Sequence, residues 1–131
     1  MTVQQYNPHE HAQQLGIRVR HQTLGKRYGL WVPRIGMILL RPGMAARHER
    51  SVLAHEIAHA EYGHTTGSRK EERLADVLAA RRLIAPAAIA DAMRWTQEIP
   101  ELAIELGVTE HIVKTYLDEI FPTAGSDRRE A

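Results

Sequence analysis

Cysteine is absent from the 131 residues, which excludes disulfides, thiolate metal sites and thiol nucleophiles and favours a reducing compartment. Any metal chemistry must therefore use His, Asp and Glu. Aromatic residues are scarce, with two Trp, four Tyr and one Phe, so alanine and leucine carry most of the packing. No run of about 18 apolar residues occurs, and the polar start from Met1 to Gln14 contains no apolar core of a signal peptide. These absences read as a cytoplasmic protein without membrane association. Neither sign of charge dominates: 17 Lys and Arg stand against 16 Asp and Glu, a net charge of +1, so no global field draws the chain to nucleic acid. What is present is the composition of a soluble globular domain, 44% hydrophobic and 25% charged, without internal repeats.

The pattern along the chain predicts an α+β fold. Asn7 and Pro8 suit a helix start and Gly16 its end. Ile17 to Arg20 alternates, Tyr28 to Val32 is aromatic and β-branched, and Met37 to Leu40 is a short apolar run, punctuated by Gly25, Pro33, Gly36 and Pro42. This predicts a small antiparallel sheet of two or three strands. Beyond Gly43 the spacing is helical, with elements expected at about 45–62, 69–84 and 87–97 and a final pair near 101–106 and 110–120. Residues 1–121 are read as a single domain, with a helix and sheet over about 1–43 and a helical part over about 44–121. Residues 122–131 have almost nothing to bury and are read as a disordered tail.

The informative segment is His55-Glu56-Ile57-Ala58-His59. Histidines four apart on a helix project from one face and can converge on one tetrahedral ion. Glu56, on the same side, can deprotonate a water bound to that ion, the general-base role. Val52, His55, Glu56 and His59 form a polar-bearing stripe beside the apolar stripe of Leu53, Ile57 and Ala60, and buried polar groups there need a partner such as a metal. Downstream, Glu72 and Asp76 lie at i and i+4 on a second helix, followed by Ala79 and Ala80, which permit close helix contact. Glu72 then reaches the ion as third ligand, while Asp76 accepts a hydrogen bond from the far nitrogen of a ligand histidine. Two imidazoles, one carboxylate and an open water position favour Zn2+.

Leu53 to Ala60, Gly63-His64, Glu72-x-x-Ala75-Asp76-x-Leu78-Ala79-Ala80 and Leu83-Ile84-Ala85-Pro86 together resemble the ImmA/IrrE family of metallopeptidases of phages, mobile elements and stress-response systems. The similarity extends from about Gly16 to Tyr116. It implies a minimal gluzincin-like zinc metallopeptidase fold, with a small sheet ahead of the H-E-x-x-H helix and a second helix giving the ligand Glu. It also implies a substrate that is a DNA-binding repressor. By position, His55, His59 and Glu72 would be the zinc ligands and Glu56 the catalytic base.

Glu71 neighbours Glu72 and is the weaker ligand candidate. His64 misses the third-histidine spacing of the metzincins by one residue and is a candidate cleft residue instead. Tyr62 reads as packing, and His9 and His11 as surface residues. Leu102 to Lys114 has helix-turn-helix spacing, but Glu110, Asp118 and Glu119 oppose a single Lys114, so DNA binding is not expected. Arg41, Arg47 and Arg50 are read as solvated. The leading expectation is a zinc endopeptidase acting on a protein or peptide, whose extended substrate adds to a sheet edge at Met37 to Leu40. The alternatives are a non-catalytic binding module with a structural zinc and a DNA-binding adaptor. The oligomeric state is not legible in the sequence.

Overall fold

Asn7 and Pro8 start the first element of the computed structural model, which describes residues 5–121. The Asn7 side chain accepts the Glu10 amide at 3.2 Å and caps α1, Pro8–Gln14. Gly16, at φ +73°, turns the chain out of that helix. Three strands follow: β1 (Arg18–His21), β2 (Gly29–Val32) and β3 (Met37–Leu40). A single 3-10 turn, Pro33–Ile35, closed by the left-handed Gly36, joins β2 to β3.

The sheet order is β1-β3-β2, with β1 parallel to β3 (Arg18 opposite Met37) and β2 antiparallel to it (Gly29 opposite Leu40). The sheet is thus mixed, where the sequence suggested antiparallel pairing throughout. The cause is burial. Met37-Ile38-Leu39-Leu40 is buried at every position and takes the centre, whereas Arg18-Val19-Arg20-His21 places three exposed polar side chains on an edge. With β3 between them, β1 and β2 are not neighbours. Met37 to Leu40 therefore offers no free edge to a substrate, contrary to the expectation above; on the side facing the helices the edge is β2.

The helical part comprises α2 (Ala46–Glu61), α3 (Arg69–Leu83), α4 (Pro86–Ala92), α5 (Ile99–Leu106) and α6 (Glu110–Thr115), which continues as one wide turn to Ile120. α4 ends five residues earlier than its composition suggests. The Arg94 and Trp95 amides turn back to the Asp91 and Ala92 carbonyls at 3.1 and 3.2 Å, and Thr96 receives the Glu98 amide at 3.1 Å and bonds Glu101, which builds the entry to α5. The tail assigned to 122–131 lies outside the described residues. None of the helices is long and apolar enough to cross a membrane, among the described residues.

α2 is the axis of the structure. At about 100° per residue it presents three stripes. Leu53 and Ile57 face the sheet and pack with Ile38, Leu40 and Ala12. Ala54 and Ala58 are fully buried, as are Ala75, Ala79 and Ala80 of α3, and α2 packs more extensively on α3 than on any other element. Small side chains on both helices let the two backbones approach. The third stripe holds Val52, His55 and His59, with Glu56 between it and the sheet-facing stripe.

Candidate metal centre and its cleft

The third stripe of α2 opens into a cleft of about 690 Å³. Its floor is α2, one wall is β2 with the loop before it, and the other is α3 with the 62–68 loop. The end of α2 shapes that loop. Gly63, at φ +64°, lets the chain reverse, and the His64 amide donates to the His59 carbonyl at 3.0 Å. His64 is thereby turned back over its own helix, Nδ1 to Nδ1 of His59 at 2.9 Å. Ser68 then caps α3 by accepting the Glu71 amide.

Three donor groups converge. The Nε2 atoms of His55 and His59 lie 3.0 Å apart, and the Glu72 carboxylate places Oε1 at 3.0 Å from His55 Nε2 and Oε2 at 2.9 Å from His59 Nε2. A tetrahedral zinc with bonds of about 2.0–2.1 Å needs donors about 3.3 Å apart; the two imidazole nitrogens are within about 0.3 Å of that, and Glu72 meets each ring through a different oxygen. His55, His59 and Glu72 form the one group among the described residues whose ligand atoms gather this closely. Glu71 does not join them. Its carboxylate accepts the amides of Thr66 and Gly67 at 3.1 and 3.0 Å, which fixes the loop.

The far side of His55 is held by Asp76, whose Oδ1 lies 2.8 Å from His55 Nδ1. A proton on Nδ1 leaves the Nε2 lone pair for the ion. The second Asp76 oxygen takes His111 Nε2 at 2.8 Å. Burial disfavours the charged form of His55, but the Asp76 hydrogen bond and the charges of Glu56, Asp76 and Glu72 outweigh it and raise the pKa to about 8. Asp76 is also partly desolvated, yet the hydrogen bonds from His111 and His55 hold it far below the usual carboxylate range. His59 moves the other way, because burial and the neighbouring His55 charge favour its neutral form.

Glu56 is 9% exposed and sits beneath β2. Burial raises its pKa, Glu72 adds to the rise, and His55 together with a hydrogen bond from the Trp31 amide opposes it. The approach depends on Gly29, where an added Cβ would lie 2.5 Å from Val52 Cγ1 and 3.2 Å from Glu56 Cγ. The Tyr28 carbonyl accepts the Arg41 amide at 2.8 Å, which turns Tyr28 toward the sheet interior. By alternation Gly29 and Trp31 then direct backbone groups to the free edge beside Glu56.

Sequence reasoning missed His111. It lies in the segment with helix-turn-helix spacing, and nothing local marks it. Tertiary hydrogen bonds bring it in: Arg47 donates to the Val108 carbonyl at 2.8 Å, Arg50 to the Gly107 carbonyl at 2.7 Å, and the Thr109 amide to Ser51 Oγ at 3.1 Å. These bonds seat the α5–α6 turn on α2 and bring His111 to the cleft wall. Arg47 and Arg50 are thus structural ties, not solvated side chains. Arg41 likewise donates to the Gly25 carbonyl at 2.7 Å. Tyr62 does not pack in a core; it is 60% exposed, with its ring 5.8 Å from that of His64. His9 pairs with Glu49 at 3.0 Å, and His11, less exposed than expected, accepts or donates with the Tyr6 hydroxyl at 2.6 Å.

With this geometry in hand, comparison with known families is informative. Residues 12–117 match the model of the peptidase M78 family, described as the IrrE N-terminal-like domain. The matched span runs from α1 through every residue of the centre to α6. Comparison with curated proteins gives no match.

Proposed function

The chain belongs to the peptidase M78 family, the IrrE N-terminal-like domain, and from that membership and the cleft geometry we propose that it is a zinc-dependent endopeptidase. The observation that carries the reading is the convergence of His55, His59 and Glu72 within 4.8 Å of one another, with the buried Glu56 alongside. When bound, a divalent ion supplies Lewis-acid chemistry, polarising a peptide carbonyl and acidifying water.

The chain's own residues do the rest. His55, His59 and Glu72 hold the ion, and Asp76 fixes the His55 ring so that Nε2 points inward. Glu56 takes a proton from the attacking water and returns it to the leaving amine. Its burial-raised pKa makes it a better base than an exposed carboxylate. The free edge of β2 receives an extended segment, pairing through the backbone of Gly29 and Trp31. The substrate is a protein, and a DNA-binding repressor is the class to test first. His64, lining the cleft against His59, positions that ligand ring.

Metal content and turnover test the reading together. The wild-type chain should retain one zinc, Glu72→Ala should retain it markedly less well, and Glu56→Gln should keep zinc while losing about 10²- to 10⁴-fold in turnover. A folded wild type that binds no zinc would remove the proposal. A Glu56→Gln chain that regulates its partner as well as the wild type would instead establish the non-catalytic binding module.

A further inference from the structure

The charges lining the cleft are unequally employed. Every carboxylate there has partners: Glu72 with His55 and His59, Asp76 with His55 and His111, Glu71 with two loop amides, and Glu56 with the Trp31 amide. Lys26 and Arg27, on the loop leading into β2, line the same cleft, yet neither side chain is ion-paired or hydrogen-bonded among the described residues. The loop that carries them is fastened. Arg41 donates to the Gly25 carbonyl at 2.7 Å and stacks its guanidinium 4.2 Å above the Tyr28 ring, and Tyr28 rests on His48 with ring centroids 4.4 Å apart.

At this end of the cleft Lys26 and Arg27 are exposed and hold no ion pair among the described residues, and the charge of Arg27 reaches Glu56 only at longer range. The four carboxylates all come from α2 and α3, at the metal end. The arrangement leaves two exposed cations, carried on a fastened loop, beside whatever lies along β2.

We infer that the loop of Lys26 and Arg27 is a specificity subsite that selects an acidic side chain in the peptide lying along β2. The inference rests on the peptidase reading and adds its substrate class. Glu56 lies under the stretch from Gly29 to Trp31, so Arg27 is two to four residues upstream of it along the strand. At about 3.3 Å per residue, a paired extended substrate brings a side chain two to four residues from the scissile bond to Arg27 and Lys26. An exposed ion pair of this kind supports a preference of up to about fivefold, and because the pair is solvent-accessible the preference is sensitive to salt.

The test uses the full zinc-loaded chain and a proteome-derived peptide mixture, with new termini identified by mass spectrometry. The wild type should enrich Asp and Glu up to about fivefold at one position two to four residues from the cut. At about 1 M salt, where the screening length is about 3 Å, the enrichment should vanish. Lys26→Gln/Arg27→Gln should abolish it and Lys26→Glu/Arg27→Glu should reverse it toward Lys and Arg, with zinc content and thermal unfolding showing that both variants are folded and loaded. Cuts without acidic enrichment, or enrichment unchanged in the variants, would overturn the inference and leave the peptidase reading standing. No new termini above a Glu56→Gln control would overturn the peptidase reading and the inference with it.

Discussion

Replacing Asp76 with Asn separates two opposing effects of one carboxylate on the metal centre. Asp76 holds His55 Nδ1 at 2.8 Å and His111 Nε2 at 2.8 Å. Loss of such a support for a ligand histidine costs about 10- to 100-fold in metal affinity, about 1.4 to 2.7 kcal/mol. The same carboxylate is one of three, with Glu56 and Glu72, that raise the His55 pKa from 6.5 to about 8 against the effect of burial, and a protonated ring cannot bind metal. At pH 7 about one wild-type chain in ten then carries neutral His55, a penalty of about tenfold. At the ordinary pKa of 6.5 the penalty is about 1.3-fold. The substitution therefore returns up to about eightfold at pH 7, less to the extent that Glu56 and Glu72 still favour the charged ring, so the net loss at pH 7 is smaller than at pH 9. At pH 9 His55 is neutral in both proteins and nearly the whole loss of about 10- to 100-fold remains. Competition for zinc against a chromophoric chelator at both pH values measures this directly. Affinities equal within about threefold at pH 9 would show that Asp76 does not orient His55, and a larger loss at pH 7 than at pH 9 would refute the proton-competition argument.

Two further outcomes follow from the packing around α2. Gly29→Ala places a Cβ 2.5 Å from Val52 Cγ1 and 3.2 Å from Glu56 Cγ, so denaturant unfolding should show a loss of about 1–3 kcal/mol, and the displaced Glu56 should lower turnover without lowering zinc content. Glu49 ties α1 and β1 to α2 through His9 and His21 at 3.0 and 2.8 Å. Burial alone would raise the Glu49 pKa, but the hydrogen bonds and charges of His21 and His9 depress it below 4.5. Its contribution is therefore present above the ordinary carboxylate pKa and lost as pH falls through the folded value. Glu49→Gln should be less stable than the wild type near neutral pH, and the gap should close in acid; a gap that persists below the carboxylate range would contradict the assignment.

Much of the helical part was legible because its signals are local. Asn7-Pro8 starts α1, and the alanine-rich runs of α2 and α3 state both helicity and the small residues needed for close packing. The mixed order of the sheet was not legible. Alternation marks where strands occur, whereas the choice of β3 as the centre follows from its burial on both flanks once the helices are in place. The end of α4 is not legible either, because apolar spacing continues past Ala92 while the Arg94 and Trp95 amides turn back to Asp91 and Ala92.

The amino-acid sequence by itself determined the pair of imidazoles, because a spacing of four on a helix is a geometric statement in one dimension, and it placed Glu56 beside them for the same reason. It also narrowed the third ligand to Glu72 or Glu71, one turn into the next helix. Glu72 was the favoured candidate of the two, and the tertiary structure adds the reason: Glu72 gathers with His55 and His59, while Glu71 accepts the amides of Thr66 and Gly67. Tertiary structure alone brought His111 to Asp76 across 35 residues, set Trp31 over Glu56, and placed Lys26 and Arg27 at the cleft without an ion pair among the described residues. These relations depend on distances between elements far apart in the chain, which periodicity cannot encode.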